Sequence, residues 1–363
     1  MKKTIPDKIL FLGPITPPIY GQSLAFTRFL ESIDGDKSTV VNTNLEDKSK
    51  AGKIIKAFLI IFSIAAKVLF DKYDVVYFTC SRSMLGSVKD VVLINLASFK
   101  DVKIVNHLHG SDFYEFLHGS PKWYQRILFK SYEKVDTSIV LLDVMKLQFR
   151  DFKNMRVEVV PNFYDNECNE RLAEKEKNKI NLVYLSNIIS SKGIFELIDA
   201  FEALSKIHKN ISLNIAGGYM SDKYMSTDKV REKFEQKISS NNRINYIGKV
   251  FKREKVELLQ KSDIFILPSY YKSEAFPISI IEAMACENAI VTTNYKYLPE
   301  VVSEENGVLV NPKSIDSLVE SVEILLNDIE KLRKIQKHNK VEAKNKYSLD
   351  QYLEILNKIV AKK

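Results

Sequence analysis

Cysteine is scarce: three in 363 residues, at positions 80, 168 and 286. That is too few and too scattered for a disulfide framework or a zinc site, and a reducing cytoplasm is the expected setting. Long apolar runs are also absent. The longest, residues 57–66 (AFLIIFSIAA), is about half of what a membrane-spanning helix needs, which leaves peripheral attachment open. The amino terminus, MKKTIPDKILFLGP, is broken by Pro6, Asp7 and Lys8. It lacks the continuous apolar core of a signal peptide and reads as the lead-in to a first strand. There is no internal repeat, no GxGxxG dinucleotide fingerprint, and no recognition helix or aromatic sheet motif for nucleic acid.

What is present is the composition of a soluble globular protein, 45% hydrophobic and 28% charged, at a length that suggests two domains. The net charge of +8 is uneven. Residues 1–163 hold 23 Lys+Arg against 17 Asp+Glu, and residues 164–363 hold 31 against 29. The basic half suits anionic lipid or a diphosphate-linked acceptor, or simply reflects lysine-rich composition.

Short apolar runs alternate with helical stretches throughout. Strands are expected at 8–12, 73–79, 103–108, 139–142 and 157–161, and helices at 24–30, 53–70, 88–99 and 120–135. After a charged, apolar-poor stretch at 166–178, the same alternation resumes at 180–185 and runs to a helix over 329–346. This rhythm predicts α/β architecture with doubly wound parallel sheets. Within 120–135, Lys122, Arg126, Lys130 and Lys134 recur every fourth residue beside Trp123 and Ile127 and beside Tyr124 and Leu128. That pattern fits a membrane-surface helix or a core-packing helix with a solvated lysine face.

The most informative stretch is 269–285, SYYKSEAFPISIIEAMA. It follows a buried strand (DIFIL, 263–267) and contains a helix beginning near Pro277, which is pre-organised for a first helical position. The N–H groups of residues 276–280 would then face the carboxyl end of the sheet as an anion site. Glu274 lies just ahead of that terminus and Glu282 a turn and a half inside it, each able to accept hydroxyl hydrogen bonds. A purely structural role for either glutamate is the alternative.

EAFPISIIEAMA closely resembles the E-x7-E motif of the glycosyltransferase family 4 (group 1) enzymes, and the resemblance runs through nearly the whole chain. It implies a GT-B fold, two Rossmann-like domains facing a central cleft, and a retaining transferase using a nucleotide-diphosphate sugar. The implied domains are an acceptor-binding one at 1–165, joined by a returning helix at 347–363, a linker at 166–178 and a donor-binding one at 179–346. By the motif, Glu274 contacts the transferred sugar and Glu282 the ribose, while Phe276, Pro277, Ile278 and Ser279 hold phosphate. His109, in the His-Gly pair after the 103–108 strand, matches a residue contacting the donor sugar. His107, expected on the opposite strand face, reads as structural. Gly21 belongs to a PPxxGG-like loop whose second glycine is Gln22 here, and a simple tight turn is the alternative. Lys192 matches the lysine of G-R-L-x-x-x-K-G, but Asn187 replaces its arginine, so one cation of the diphosphate clamp is missing. Gly248 and Val250 match the loop lining the base, and residues 161–165 (PNFYD) match a PNGVD turn.

No cofactor or metal is expected; helix dipoles and Lys192 would stand in for a divalent ion. The implied partners are a UDP- or GDP-sugar, a glycan or lipid-linked acceptor, and an anionic membrane surface, with no nucleic acid. The resemblance points to bacterial capsule, O-antigen or exopolysaccharide synthesis, in the cytoplasm at the inner face of the membrane. A nucleotide-sugar epimerase-like enzyme and a catalytically weak membrane-associated partner are the alternatives.

Overall fold

The computed structural model describes residues 6, 8–45 and 49–361, the side chain of residue 50 excepted. The reading of residues 1–5 and 7 as a lead-in, and the last two residues of the terminal segment, lie outside these. The chain divides into two compact units, residues 1–161 with 350–363, and residues 162–349.

The first unit runs β1 (Ile9–Gly13), α1 (Gly21–Glu31), β2 (Ser38–Asn42), α2 (Lys50–Phe70), β3 (Val75–Thr79), α3 (Met84–Ala97), β4 (Lys103–His107), α4 (Phe113–Gly119), α5 (Lys122–Tyr132), β5 (Thr137–Val140) and β6 (Arg156–Val159). Its six strands are ordered β2-β1-β3-β4-β5-β6 and every pairing is parallel. The central strands β1 and β3 are buried at every position. A strand covered on both faces must be continuously apolar, which is why ILFLG and VVYFT lack alternation.

The second unit runs β7 (Ile180–Leu185), α6 (Ile194–Ile207), β8 (Ile211–Ala216), α7 (Thr227–Ile238), β9 (Ile244–Gly248), α8 (Lys252–Gln260), β10 (Ile264–Leu267), α9 (Ile278–Ala285), β11 (Ala289–Thr293), β12 (Gly307–Val310), α10 (Ile315–Asn327) and α11 (Ile329–Lys346), with α12 (Leu349–Val360) carrying the chain back to the first unit. Strand order is β12-β11-β10-β7-β8-β9, again wholly parallel. Strands are added outward on one side of β7 and then on the other, beginning with β10. Right-handed crossovers therefore place helices on both faces, so each sheet is doubly wound as expected.

Segment 170–178 is tied to the second unit. Gln260 accepts the N–H groups of Leu172 and Ala173 at 2.8 and 3.0 Å, and the Lys175 ammonium donates to the carbonyl of Glu287 at 2.9 Å. In the first unit, the Tyr352 hydroxyl of α12 reaches the Ala25 carbonyl at 3.2 Å.

In an open α/β sheet the crevice forms where strand order reverses, outside the carboxyl ends of the two strands that flank the reversal. In the second unit those strands are β7 and β10, followed by residues 186–193 and 268–277. Both stretches carry the motifs singled out above.

Candidate functional site

Lys192 and Glu274 meet at this reversal, Nζ to Oε2 at 2.6 Å, both side chains largely buried. The Ser269 hydroxyl donates to the same carboxylate oxygen at 2.6 Å, and the Lys192 ammonium stands 5.2 Å from the centre of the Tyr271 ring. The two loops are stitched together beside the pair. Tyr270 N–H donates to the Ser191 carbonyl at 2.8 Å, and Asp222 accepts the N–H groups of Ser191, Tyr224 and Met225 at 2.8, 2.8 and 3.0 Å. Burial opposes the Asp222 charge, but these donors outweigh it and hold its pKa below the usual carboxylate value.

The helix after Glu274 is α9. Pro277 takes the N-cap position with φ −62° and ψ 123°, so the helix proper begins one residue later than expected, at Ile278. The expected row of free N–H groups over 276–280 is also shorter. Pro277 has none, and the Ile280 N–H is held by the Pro277 carbonyl at 3.2 Å. That leaves Phe276, Ile278 and Ser279 as donors for a ligand. Their backbone is fixed from behind: Asn162 donates to the Phe276 carbonyl at 2.7 Å, and the Phe276 ring meets Tyr347 edge-on at 5.5 Å. Asn162 belongs to the PNFYD turn, so the part of that motif retained here positions α9.

Glu282 is buried and paired with Lys255 of α8. Burial pushes the Glu282 carboxyl up, against the pull of Lys255. Burial likewise opposes the Lys255 ammonium, but the Glu282 charge and hydrogen bond win and raise its pKa. A carboxyl raised in the folded state contributes stability below its unfolded pKa and loses it as pH rises through the folded value. Lys255→Ala removes the compensating charge, so Glu282 will rise further. We expect a loss of about 3–5 kcal/mol at pH 8, shrinking toward pH 5 as Glu282 takes up a proton. Urea denaturation at both pH values, with Lys255→Ala/Glu282→Gln as the rescued variant, tests it; an equal loss at pH 5 and pH 8 would refute it.

Asn187, Gly248 and Val250 border the same end of the sheet. Asn187 is half-buried; its carbonyl accepts the Tyr184 hydroxyl at 2.9 Å, and no hydrogen bond of its amide is found among the described residues. Gly217, with φ +155° at the turn after β8, must be glycine because a Cβ there would come within 1.8 Å of the Ser186 carbonyl oxygen. Gly248 has φ +82° and open space around it, and its carbonyl accepts the Gly217 N–H at 2.8 Å. Lys249 lies across Gly218: a Cβ on that residue would be 3.2 Å from the lysine Nζ. Gly218 in turn accepts the Ile188 N–H at 2.9 Å, which places a basic side chain over the turn beside Asn187.

In the first unit, His109 follows β4. The expected opposition of His107 and His109 does not occur: β4 ends at His107, the chain leaves the strand, and the two rings stack with centroids 4.0 Å apart. His107 Nδ1 is 2.6 Å from the Tyr77 hydroxyl. The His109 ring is partly exposed, yet its Nε2 is buried without a protein partner among the described residues. Burial and then the Arg82 charge depress the His109 pKa to about 3, and burial with His109 as neighbour lowers that of His107. Arg82 pairs with Asp112 and lies so close to Gly110 that a Cβ there would stand 1.8 Å from its guanidinium. The glycine of the His-Gly pair thus gives the arginine room.

A neutral histidine with depressed pKa contributes stability above its unfolded value, about 6.5, and loses it as pH falls toward the folded value. The folding equilibrium constant should therefore drop by up to about tenfold per pH unit per histidine between pH 6.5 and 4.5. His109→Gln should flatten that slope, and a wild-type profile already flat over this range would contradict the assignment.

Gly21 is the first residue of α1 and is exposed. The expectation of no metal rests on the absence of a DxD motif, but Asp34-Gly35-Asp36 is one, with a spacing suited to a divalent cation. It lies in the exposed turn leading into the amino end of β2, the edge opposite the one where such sheets bind ligands, and Asp34 pairs with Lys37 at 3.5 Å. No group of three or more metal-ligating side chains is found among the described residues.

Within the second unit, then, the structure joins Lys192 to Glu274 directly, on the loop that leads into α9, holds Glu282 on that helix, and lines the neighbouring strand ends with Asn187, Gly248 and Val250. Sequence reasoning missed Lys255, and gave no side-chain role to Ser269 or to Lys249, which it placed only within the base-lining loop. A lysine that acts through a neighbour distant in sequence, as Lys255 does through Glu282, carries no spacing signal.

Residues 166–342 match the family model for glycosyl transferases group 1. An uncharacterised glycosyltransferase of Methanocaldococcus jannaschii is 27% identical over 72% of this chain and 70% of its own length. The N,N'-diacetylbacillosaminyl-diphospho-undecaprenol alpha-1,3-N-acetylgalactosaminyltransferase of Campylobacter jejuni is 42% identical over 25% of this chain and 23% of its own. A capsular polysaccharide biosynthesis glycosyltransferase of Staphylococcus aureus is 28% identical over 50% and 46%. Anabaena HepE, solved in complex with UDP-glucose, shares the fold at a TM-score of 0.73 and 17% identity, covering 97% of this chain and 99% of that one.

Proposed function

We propose that this chain, whose residues 166–342 match the group 1 glycosyltransferases, is a retaining enzyme that moves a sugar from a nucleotide diphosphate to a lipid-linked glycan. The observation that carries the reading is the Lys192–Glu274 pair at the strand reversal, beside three N–H groups at the α9 terminus for which no partner is found among the described residues. A cation and backbone dipoles on one side and a carboxylate on the other match the two charges that develop when a glycosidic bond to phosphate breaks. Lys192 and the N–H groups of Phe276, Ile278 and Ser279 would receive the leaving diphosphate, Glu274 the sugar hydroxyls and Glu282 the ribose. The second unit thus binds donor and the first unit acceptor.

In this reading the bond from the anomeric carbon to the phosphate oxygen breaks with its electron pair going to phosphate. The acceptor hydroxyl adds on the same face, and its proton passes to the departing phosphate oxygen. With cation and dipoles in place, the reaction needs no divalent ion. His109, held neutral by burial, offers the first unit a neutral imidazole able to hydrogen-bond a ligand. Lys249 supplies the positive charge that Asn187 does not. A UDP-sugar is the favoured donor, since the similar fold of HepE holds UDP-glucose. The Campylobacter relative's diphospho-undecaprenol acceptor supports a lipid-linked substrate, and the Staphylococcus relative a place in surface polysaccharide synthesis.

A thermal-shift screen of UDP-, GDP-, ADP- and CMP-sugars without metal tests this. One nucleotide series should stabilise the wild type, Glu282→Ala should abolish the shift, and Lys249→Ala should weaken donor affinity about tenfold, the worth of one modest charged contact. No shift by any nucleotide sugar would overturn the donor-site assignment.

A further inference from the structure

The outer face of α2 is apolar. Its inner face is the i, i+4, i+8 row Ile60, Ile64 and Val68, all buried. On the opposite side stand Ile55, Phe58, Leu59, Phe62 and Leu69, with 60, 69, 62, 73 and 52% of their surface exposed. A helix resting on a globular unit ordinarily turns charged and polar residues to water, so one whose outer face is apolar as well as its inner one implies a second non-aqueous neighbour. From Ser49 to Phe70 the sequence contains no aspartate or glutamate, and its charged residues are Lys50, Lys53, Lys56 and Lys67. α3 packs against both α2 and α5, and continues the surface with exposed Leu85, while α5 adds exposed Trp123 and Ile127 among Lys122, Arg126 and Lys130. The helix 120–135 read from sequence is thus two-sided: Tyr124 and Leu128 are core, whereas the basic and aromatic residues face outward.

We infer that α2, rimmed by α5, docks this protein on an anionic lipid bilayer, with the helix lying in the plane of the surface. The charge pattern selects this occupant. Lysines without a compensating acid suit an anionic headgroup layer, while Phe and Leu on the same helix suit the acyl boundary just beneath it. In-plane orientation follows from the inner row: with Ile60, Ile64 and Val68 held in the unit's core, the helix lies along the protein, and no described helix is long and apolar enough to cross a membrane. The inference goes beyond the transferase reading and does not need the donor to be identified.

The test is co-sedimentation of the full chain with vesicles of phosphatidylcholine alone or with about one-third phosphatidylglycerol, at low and high salt. The wild type should bind the anionic vesicles at least about tenfold more tightly, with high salt weakening but not abolishing the interaction. Phe58→Ser/Phe62→Ser should lose about tenfold or more at both salt concentrations. Lys53→Gln/Lys56→Gln/Lys67→Gln should lose binding chiefly at low salt. All these positions are outside the donor site, so the nucleotide-induced thermal shift should be unchanged and reports that the variants are folded. Failure of the donor reading would instead remove that shift from the wild type and leave sedimentation untouched. Absence of wild-type binding to either vesicle, or binding that the α2 variants retain in full, overturns the inference. So does a concentration-dependent dimer that the Phe variants dissolve while vesicle binding is absent.

Discussion

Replacing Lys192 by alanine should lower kcat by about 10²–10³-fold, with a much smaller change in the KM for donor. The expectation rests on where charge appears. On the donor reading proposed above, a bound diphosphate is already anionic and would already be engaged by the α9 N–H groups, so the ground state would lose one contact among several. The charge added as the sugar departs would fall next to the Lys192 ammonium, and stabilisation given only to that charge enters kcat. Removal has a structural side as well, because Lys192 and the Ser269 hydroxyl both sit on Glu274 Oε2 at 2.6 Å. Without the lysine, a buried carboxylate is left with the hydroxyl alone, and stability should fall by about 2–4 kcal/mol. The two effects separate in Lys192→Ala/Glu274→Gln: stability returns, since a neutral amide tolerates burial, but turnover does not. Lys192→Arg should fall between, keeping charge at altered geometry. Single-turnover transfer and urea denaturation on the four proteins decide it, and a Lys192→Ala enzyme within threefold of wild-type kcat would remove this residue from the chemistry.

How legible such a site is depends on whether its parts are local. The stretch 269–285 announces itself because strand, loop, proline and helix follow one another, so each local preference agrees with the next. β7 and α11 are readable to the residue for the same reason: an apolar run and a 3.6-residue period with clear ends. β2 was not, because an edge strand with a single fully buried position among STVVN shows neither alternation nor a continuous run. α4 and α8 were missed as short helices, α8 opening on the polar KREK that hid its buried Val256, Leu258 and Leu259. The stacked histidines show another limit. Strand periodicity correctly predicts opposite faces within a strand, and it stops applying at His107, where the strand stops. Lys255 was invisible because nothing local marks a lysine that will meet a carboxylate only after folding, and for the same reason the lie of the Lys249 side chain over Gly218 was not readable from its place in the base-lining loop.

Gly193→Ala should be among the most damaging single-methyl changes in the second unit, costing about 2–5 kcal/mol. Gly193 has φ +75°, in the left-handed region, where any L side chain pays roughly 1–2 kcal/mol. Its added Cβ would also stand 2.1 Å from the Pro268 carbonyl oxygen, and relieving that overlap by backbone movement should add about 1–3 kcal/mol. Gly248 provides the internal control. It has φ +82° but nothing near its Cβ position, so Gly248→Ala should show the conformational cost alone, about 1–2 kcal/mol. The difference between the two in urea denaturation measures how closely the loops after β7 and β10 approach each other. Function should follow the same split. Pro268 precedes Ser269, whose hydroxyl holds Glu274, and Gly193 follows Lys192, so pushing these backbones apart lengthens the 2.6 Å contact on which the site is built. Gly193→Ala should therefore lose turnover beyond what its residual folded fraction explains, whereas Gly248→Ala should lose chiefly donor affinity. Equal destabilisation by the two substitutions would show that the loops can part without cost, and that the close approach of Gly193 to Pro268 is not what fixes Lys192 against Glu274.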